Sequence, residues 1–237
     1  MNKSAEKTNI NPPELSVVIP VYNNAGSIKE LYERLCAALK GNVDSYEIIF
    51  VDDASIDDSC SIIKHLAGQD KNVRLSTLGC NIGQQKAVFY GLKNSFGRLI
   101  VTMDADLQDP PEAIPVMLLK IRQGYAAVFA GRRGRYESSF RLFTSRVFKF
   151  TMHMITGVPV DAGMFLIMTQ EAKDRVLEFR GEPFLVSMLG CTRMPLFSMP
   201  VKRDRRGERL SAYTTRLRLK VALSAIFWSF VWRVRNK

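Results

Sequence analysis

The chain has 237 residues, 46% of them hydrophobic, which is enough for one large domain or two small ones around a real core and gives no sign of disorder beyond the ends. Its four cysteines (Cys36, Cys60, Cys80, Cys191) are scattered without C-x-x-C or metal-ligand spacing, so they read as free thiols in a reducing compartment rather than a disulfide scaffold or zinc site. The net charge of +11 is concentrated. Residues 202–237 hold eleven basic side chains against Asp204 and Glu208, and residues 132–149 hold six against Glu137, which leaves the rest mildly acidic. Such cationic segments attract phosphates of nucleic acid, lipid headgroups or small ligands.

The first fourteen residues, MNKSAEKTNINPPE, form a polar tail with no apolar stretch, so no secretory signal is expected. Leu15–Pro20 (LSVVIP) is a short β-branched run bounded by a turn and predicts a buried strand. Ser27–Leu39 carries apolar residues at Ile28, Leu31, Leu35 and Leu39, a helical stripe with Ser27 as its expected N-cap. Strands are then expected at Glu47–Val51, Val73–Leu75 and Arg98–Met103, with helices at Ser55–Leu66 and Gln84–Asn94 between them. This alternation predicts right-handed βαβ units, hence a mainly parallel sheet with helices on both faces. Ligands in such sheets bind beyond the carboxyl ends of the strands.

Three of those ends are polar: Pro20-Val21-Tyr22-Asn23-Asn24, Asp52-Asp53-Ala54-Ser55 and Asp104-Ala105-Asp106-Leu107-Gln108. There is no G-x-x-x-x-G-K loop and no G-x-G-x-x-G, so the usual ATP and dinucleotide cradles are not expected. Asp104-x-Asp106 carries the strongest chemical signal. Where a strand ends, two carboxylates one residue apart can turn to one side and offer hard oxygens to Mg²⁺ or Mn²⁺, leaving other positions for water and substrate phosphates. A metal there would neutralise charge on a departing diphosphate.

The second half predicts a helix over Ser138–Ile155, striped at Phe140, Phe143, Val147, Phe150 and Met154, with Arg141 and Ser145 on one adjoining face. A late strand is expected at Met194–Val201. The apolar run Val221–Trp232 covers only about 18 Å as a helix, against roughly 30 Å of hydrocarbon. With basic residues on both sides, it suits a helix lying in a membrane interface, inserting Phe227, Trp228, Phe230 and Trp232; a buried core helix is the other reading.

SVVIPVYNN, IIFVDDASIDDS, NIGQQKAVFYGL and VTMDADLQDPPE together resemble the inverting nucleotide-sugar glycosyltransferases of family two. FRLFTSRVFKFTMHMITG and VDAGMF narrow the resemblance to the members that use a polyprenyl phosphate, dolichyl or undecaprenyl, as acceptor. It runs from about Leu15 to Tyr213 and implies a GT-A type α/β fold over residues 15–201, followed by a basic loop and amphipathic helix at 202–237.

By that resemblance, the donor pocket falls on Pro20, Tyr22, Val51, Asp53, Asp104 and Ala105, with Tyr22 and Asp53 at base and ribose. The metal site, for Mg²⁺ or Mn²⁺, falls on Asp106, Gln108 and Asp104. Arg133, Arg141 and Ser145 match the acceptor-phosphate and diphosphate positions, and Asp161 the acidic residue near the reacting centre; Asp106, Asp161 and Arg141 are the catalytic set. Arg206, with Ser211 and Tyr213, matches a loop that closes on the diphosphate. The chain departs from the usual pattern at Asn24 (an acid), Arg209 (a glycine) and Ala212 (a lysine).

The implied partners are a nucleotide sugar (UDP before GDP or dTDP), a polyprenyl phosphate and an anionic membrane surface, with no nucleic acid. The implied place is peripheral, at the cytoplasmic face. The plainer readings are a core tyrosine at Tyr22, helix caps at Asp52 and Asp53, a solvated basic face at Arg133, Arg141 and Arg146, a turn residue at Asp161, and surface or core roles for His65 and His153. Two rival functions stand beside the first: a same-fold transferase acting on a sugar hydroxyl, and a basic nucleic-acid-binding protein that is no enzyme.

Overall fold

The computed structural model describes residues 11–133, 149–179, 181, 184–203, 224 and 226–232. The first half alternates as the sequence predicts: β1 (Leu15–Val21), α1 (Ala25–Leu39), β2 (Tyr46–Asp52), α2 (Ser59–Gln69), β3 (Val73–Thr77), α3 (Gln84–Lys93) and β4 (Leu99–Thr102). After it come a short 3₁₀ turn at Pro111–Ala113, α4 (Ile114–Ile121), β5 (Ala127–Arg133) and a helix that includes residues 149–156 (α5). The chain continues with β6 (Leu166–Thr169), α6 (Gln170–Leu177), α7 (Leu185–Cys191) and β7 (Leu196–Lys202), and residues 226–232 are helical (α8).

Among the described residues, seven strands form one sheet in the order β3-β2-β1-β4-β6-β5-β7. β6 runs antiparallel to both β4 and β5, and the other pairings are parallel. Six strands therefore end at the same edge, where β6 begins. The strand alternation sorts the core into two layers. Val17, Ile19, Ile48, Phe50 and Val101 meet α1, α2 and α4 on one face, and Val18, Ile49, Val51, Ile100 and Phe129 meet α3, α6 and α7 on the other. The α1 stripe of Ile28, Leu31, Leu35 and Leu39 is wholly buried, at about 1.5–3 kcal/mol per side chain removed from water.

Two local expectations are corrected. Asn24, not Ser27, stands at the N-cap of α1. The Ser27 hydroxyl donates instead to the carbonyl of Ala105 at 2.6 Å. α2 begins at Ser59 rather than Ser55 because residues 55–59 are spent on the loop after β1. Asn23 N–H donates to Ser55 Oγ, Asn24 N–H to Ser59 Oγ, Ala25 N–H to an Asp57 carboxylate oxygen, and Ile56 N–H to Asn23 Oδ1, at 2.9–3.0 Å. The Ile56 N–H held by Asn23 and the Asp57 carboxylate held by Ala25 keep this stretch as a loop packed on the end of β1, and α2 begins after it, at Ser59.

Candidate active site

Proline is out of place in a central strand, yet Pro20 sits in β1 between β2 and β4. The pairing explains it. β4 leaves β1 after Thr102, opposite Val18, and the Val18 carbonyl accepts the Met103 N–H at 3.3 Å. Alternate residues of a strand face the same neighbour, so Pro20 turns its missing N–H toward a space β4 has vacated. β1 is also where the strand order reverses, from β2 on one side to β4 on the other. Such a switch point opens a crevice at the carboxyl ends of the strands.

Both sides of this crevice are built from the predicted residues. Tyr22, just past β1, is 46% exposed, which removes the core-tyrosine reading. Pro20 and Val51 pair across β1 and β2 and are buried beneath it. Asp53 is 2% exposed, and its two carboxylate oxygens accept the N–H groups of Ile82 and Gly83 at 2.7 and 2.9 Å. It therefore fixes the loop that leads into α3, and the N-cap of α2 is Asp58 rather than Asp52 or Asp53.

Asp104, Ala105 and Asp106 follow β4 directly. Ala105 is buried, while Asp104 and Asp106 are partly open. The turn is held at both ends: Gln84 Nε2 donates to Asp104 Oδ1 at 2.5 Å, and Gln108 N–H donates to Asp106 Oδ1 at 3.1 Å. Leu107 between them has φ +60°, unusual for a branched side chain. Asn23 and Ala54, after β1 and β2, also lie at positive φ (55° and 58°). Residues held in this region cost about 1–3 kcal/mol each, and such strain clusters at functional sites.

Among the described residues there is no group of three His, Cys, Asp or Glu poised to hold a metal. Mg²⁺ and Mn²⁺ sites completed by substrate phosphates need only one or two carboxylates, so the Asp104–Gln108 turn fits such an ion. The side-chain nitrogen of Gln108 is buried with no hydrogen-bond partner among the described residues, as befits an amide beside a site that a ligand completes.

Asp161 reaches the same edge from the segment before β6. It lies so close over Gly131 of β5 that a β-carbon there would stand 2.1 Å from Asp161 Oδ2 and 2.6 Å from Ser198 Oγ. That Ser198 hydroxyl is buried without a hydrogen-bond partner among the described residues. The segment is tied to β4 by Thr102 Oγ1, which donates to the Met164 carbonyl at 2.6 Å. Arg133 ends β5 at this edge. Arg141, Ser145, Arg206, Ser211 and Tyr213, like Arg146 and Arg209, lie outside the described residues.

Sequence reasoning missed Gln84, Asp109 and Arg203 as parts of this site. Gln84 stood inside a motif already singled out. Nothing in the sequence links Asp109 to Arg203, 94 positions later, whose Nε donates to it at 2.6 Å.

α8 packs against the protein through its tryptophans and leaves its phenylalanines exposed. Trp232 stacks on Phe179 with ring centroids 3.9 Å apart, and the Trp228 ring closes over Gly181. Phe227 and Phe230 remain 60% and 62% exposed. Insertion of all four aromatic rings is therefore corrected to a division of labour, tryptophans on the protein and phenylalanines outward. No helix among the described residues is long and apolar enough to cross a membrane.

The family model for glycosyl transferase family 2 matches residues 16–184, and the chain belongs to that family of glycosyltransferases. A glycosyltransferase of Bacillus subtilis, itself named as uncharacterized, is 31% identical over 217 residues, 90% of this chain and 67% of that one. The undecaprenyl-phosphate 4-deoxy-4-formamido-L-arabinose transferase of Pseudomonas fluorescens is 40% identical over 154 residues, 64% of this chain and 45% of its own length. The chain thus spans a little under half of that transferase. Among solved structures, the glucosyl-3-phosphoglycerate synthase of Mycobacterium tuberculosis, in complex with Mn²⁺, UDP-glucose and glycerol 3-phosphate, superposes with TM-score 0.63 at 18% identity, covering 93% of this chain and 80% of that one. The TarS protein of S. aureus with UDP-GlcNAc gives 0.62 at 19% identity, over 91% and 66%. These likenesses establish the GT-A type fold. Family membership sets aside the non-enzymatic reading.

Proposed function

We propose that this protein transfers a sugar, with inversion, from a nucleotide sugar to a polyprenyl phosphate at the cytoplasmic face of a membrane, to which it binds peripherally. The observation that carries this reading is the Asp104-Ala105-Asp106 turn at the crevice where β4 parts from β1, in a chain 40% identical over 154 residues to an undecaprenyl-phosphate transferase.

In this reading Tyr22 stacks on the base. Asp53 has two acceptor positions engaged by its loop, and a carboxylate offers about four, leaving others for the ribose. Pro20, Val51 and Ala105 shape the floor. Asp106, Gln108 and Asp104 would hold Mg²⁺ or Mn²⁺, which when bound supplies charge neutralisation for the diphosphate. Arg133, Arg141 and Ser145 receive the acceptor phosphate, and Arg206 the diphosphate. UDP is favoured over GDP and dTDP.

The acceptor shapes the catalytic demand. A phosphate monoester is already largely ionised near neutral pH, so no strong base is needed to make it a nucleophile. Asp161, held over Gly131, orients groups at the reacting centre. Most of the work is positioning and charge stabilisation. A sugar hydroxyl acceptor would instead demand Asp161 as a general base, and Asp161→Asn would abolish turnover. The outward Phe227 and Phe230, with basic residues before and after the apolar run, support contact with anionic lipid.

The test is a screen of radiolabelled UDP-, GDP- and dTDP-sugars, each with a short-chain polyprenyl phosphate or an oligosaccharide, in Mn²⁺ and in chelator. Metal-dependent label in the polyprenyl product is expected. Label in the oligosaccharide alone would replace this acceptor with the hydroxyl reading.

A further inference from the structure

Gln84 opens α3, and its side chain reaches across the crevice to the turn after β4. A carboxylate only accepts hydrogen bonds, so the amide must turn its nitrogen, not its oxygen, toward Asp104. The two ends of this contact are anchored separately. On one side, Gly83 precedes Gln84 with φ +90°, open only to glycine without strain, and its N–H is held by Asp53. On the other, Met103 N–H is bound to Val18 and the Ala105 carbonyl to Ser27. The Gln84–Asp104 bond joins these two frames.

We propose that Gln84 is a positioning residue for the donor: it fixes the rotamer of Asp104 and couples it, through Gly83, to Asp53. The inference rests on reading the crevice as a nucleotide-sugar site. The amide fixes the plane of the Asp104 carboxylate, and so the direction in which that group meets the donor. The nucleotide-facing side of β2 and the first carboxylate after β4 are thereby linked through three consecutive residues, Ile82, Gly83 and Gln84. No sequence signal marks this role, because a glutamine at the start of a helix is ordinary.

Two variants separate positioning from packing. Gln84→Ala removes the amide. Gln84→Glu keeps its shape, cannot donate when ionised and sets a second negative charge against Asp104. An acidic residue in the first turn of a helix favours the helix, but its repulsion from Asp104 opposes that gain, so binding by each variant is compared well below its own Tm. Binding of UDP, GDP and dTDP with Mn²⁺ is measured by titration calorimetry on the full chain, alongside Tm. For the nucleotide that the parent binds, Kd is expected to rise about tenfold or more in Gln84→Ala, the scale of a lost hydrogen bond to a charged group, and further in Gln84→Glu. Parent-like binding by Gln84→Glu with weaker binding by Gln84→Ala would mean that only the side-chain volume matters, and would overturn the proposal. Parent-like binding by both would overturn it as well and leave the crevice reading standing. If the parent binds none of the three nucleotides, the crevice reading falls and takes this inference with it.

Discussion

Arg203 Nε donates to Asp109 Oδ1 at 2.6 Å, in a pair whose side chains are 17% and 4% exposed. This joins the loop carrying Asp104 and Asp106 to the end of β7, where the basic segment begins. Removing one partner of a buried pair strands the other's charge, which costs about 3–5 kcal/mol. Arg203→Met should therefore lower unfolding stability by about 3 kcal/mol in urea titrations. Replacing both residues by apolar ones of similar size should restore much of that. A loss below about 0.5 kcal/mol would be the value of a surface pair, contrary to this geometry.

Gly131→Ala tests the placement of Asp161 without changing that residue's chemistry. The added methyl cannot coexist with Asp161 Oδ2 in its present place. If Asp161 orients the reacting groups, transfer should fall about tenfold, roughly 1.4 kcal/mol of barrier, with donor binding unchanged. Unaltered turnover would make Asp161 a turn residue.

At the opposite edge of the sheet, Glu47 accepts from Ser16 Oγ at 2.7 Å and Phe96 N–H at 2.8 Å, and pairs with Arg74 at 2.6 Å. Glu47→Ala leaves the buried Ser16 hydroxyl without its acceptor, at about 1–3 kcal/mol, while the more exposed Arg74 keeps the Asn94 carbonyl. Thermal melts should show a large loss of Tm, while turnover of the folded fraction at low temperature stays normal. A turnover defect would tie this knot to the site.

Acid sensitivity should come partly from Glu112 and Glu14. The Arg34 guanidinium, donating twice to Glu112, holds that carboxyl below its usual range. Glu14 is lowered by the Asp44 N–H and then, against burial, by Arg122. A carboxylate depressed in the folded state gives stability that is present above its unfolded pKa, near 4.5, and lost as pH falls through the folded value. Glu112→Gln should flatten the fall in stability below pH 4.5. An unchanged acid limb would assign that fall to other carboxylates.

The sequence is most legible where the physics is local. β1, β2 and β4 are apolar runs stopped by polar residues, and they lead directly to Tyr22, Asp53 and Asp106. β5 escapes because AVFAGRR ends in two arginines and reads as part of a cationic segment. α4, α6 and α7 span eight residues or fewer, too short for periodicity to decide. Ser27 has the chemistry of an N-cap, but its partner, Ala105, lies 78 residues away, and no local pattern can report such a bond.

The central claim is tested most directly by transfer of label from a nucleotide sugar into an organic-extractable polyprenyl-phosphate sugar, comparing the full chain with Asp106→Ala. The account predicts Mn²⁺- or Mg²⁺-dependent product from the parent, none in chelator, and none from Asp106→Ala at parent-like Tm. Full activity of Asp106→Ala in excess chelator would contradict it.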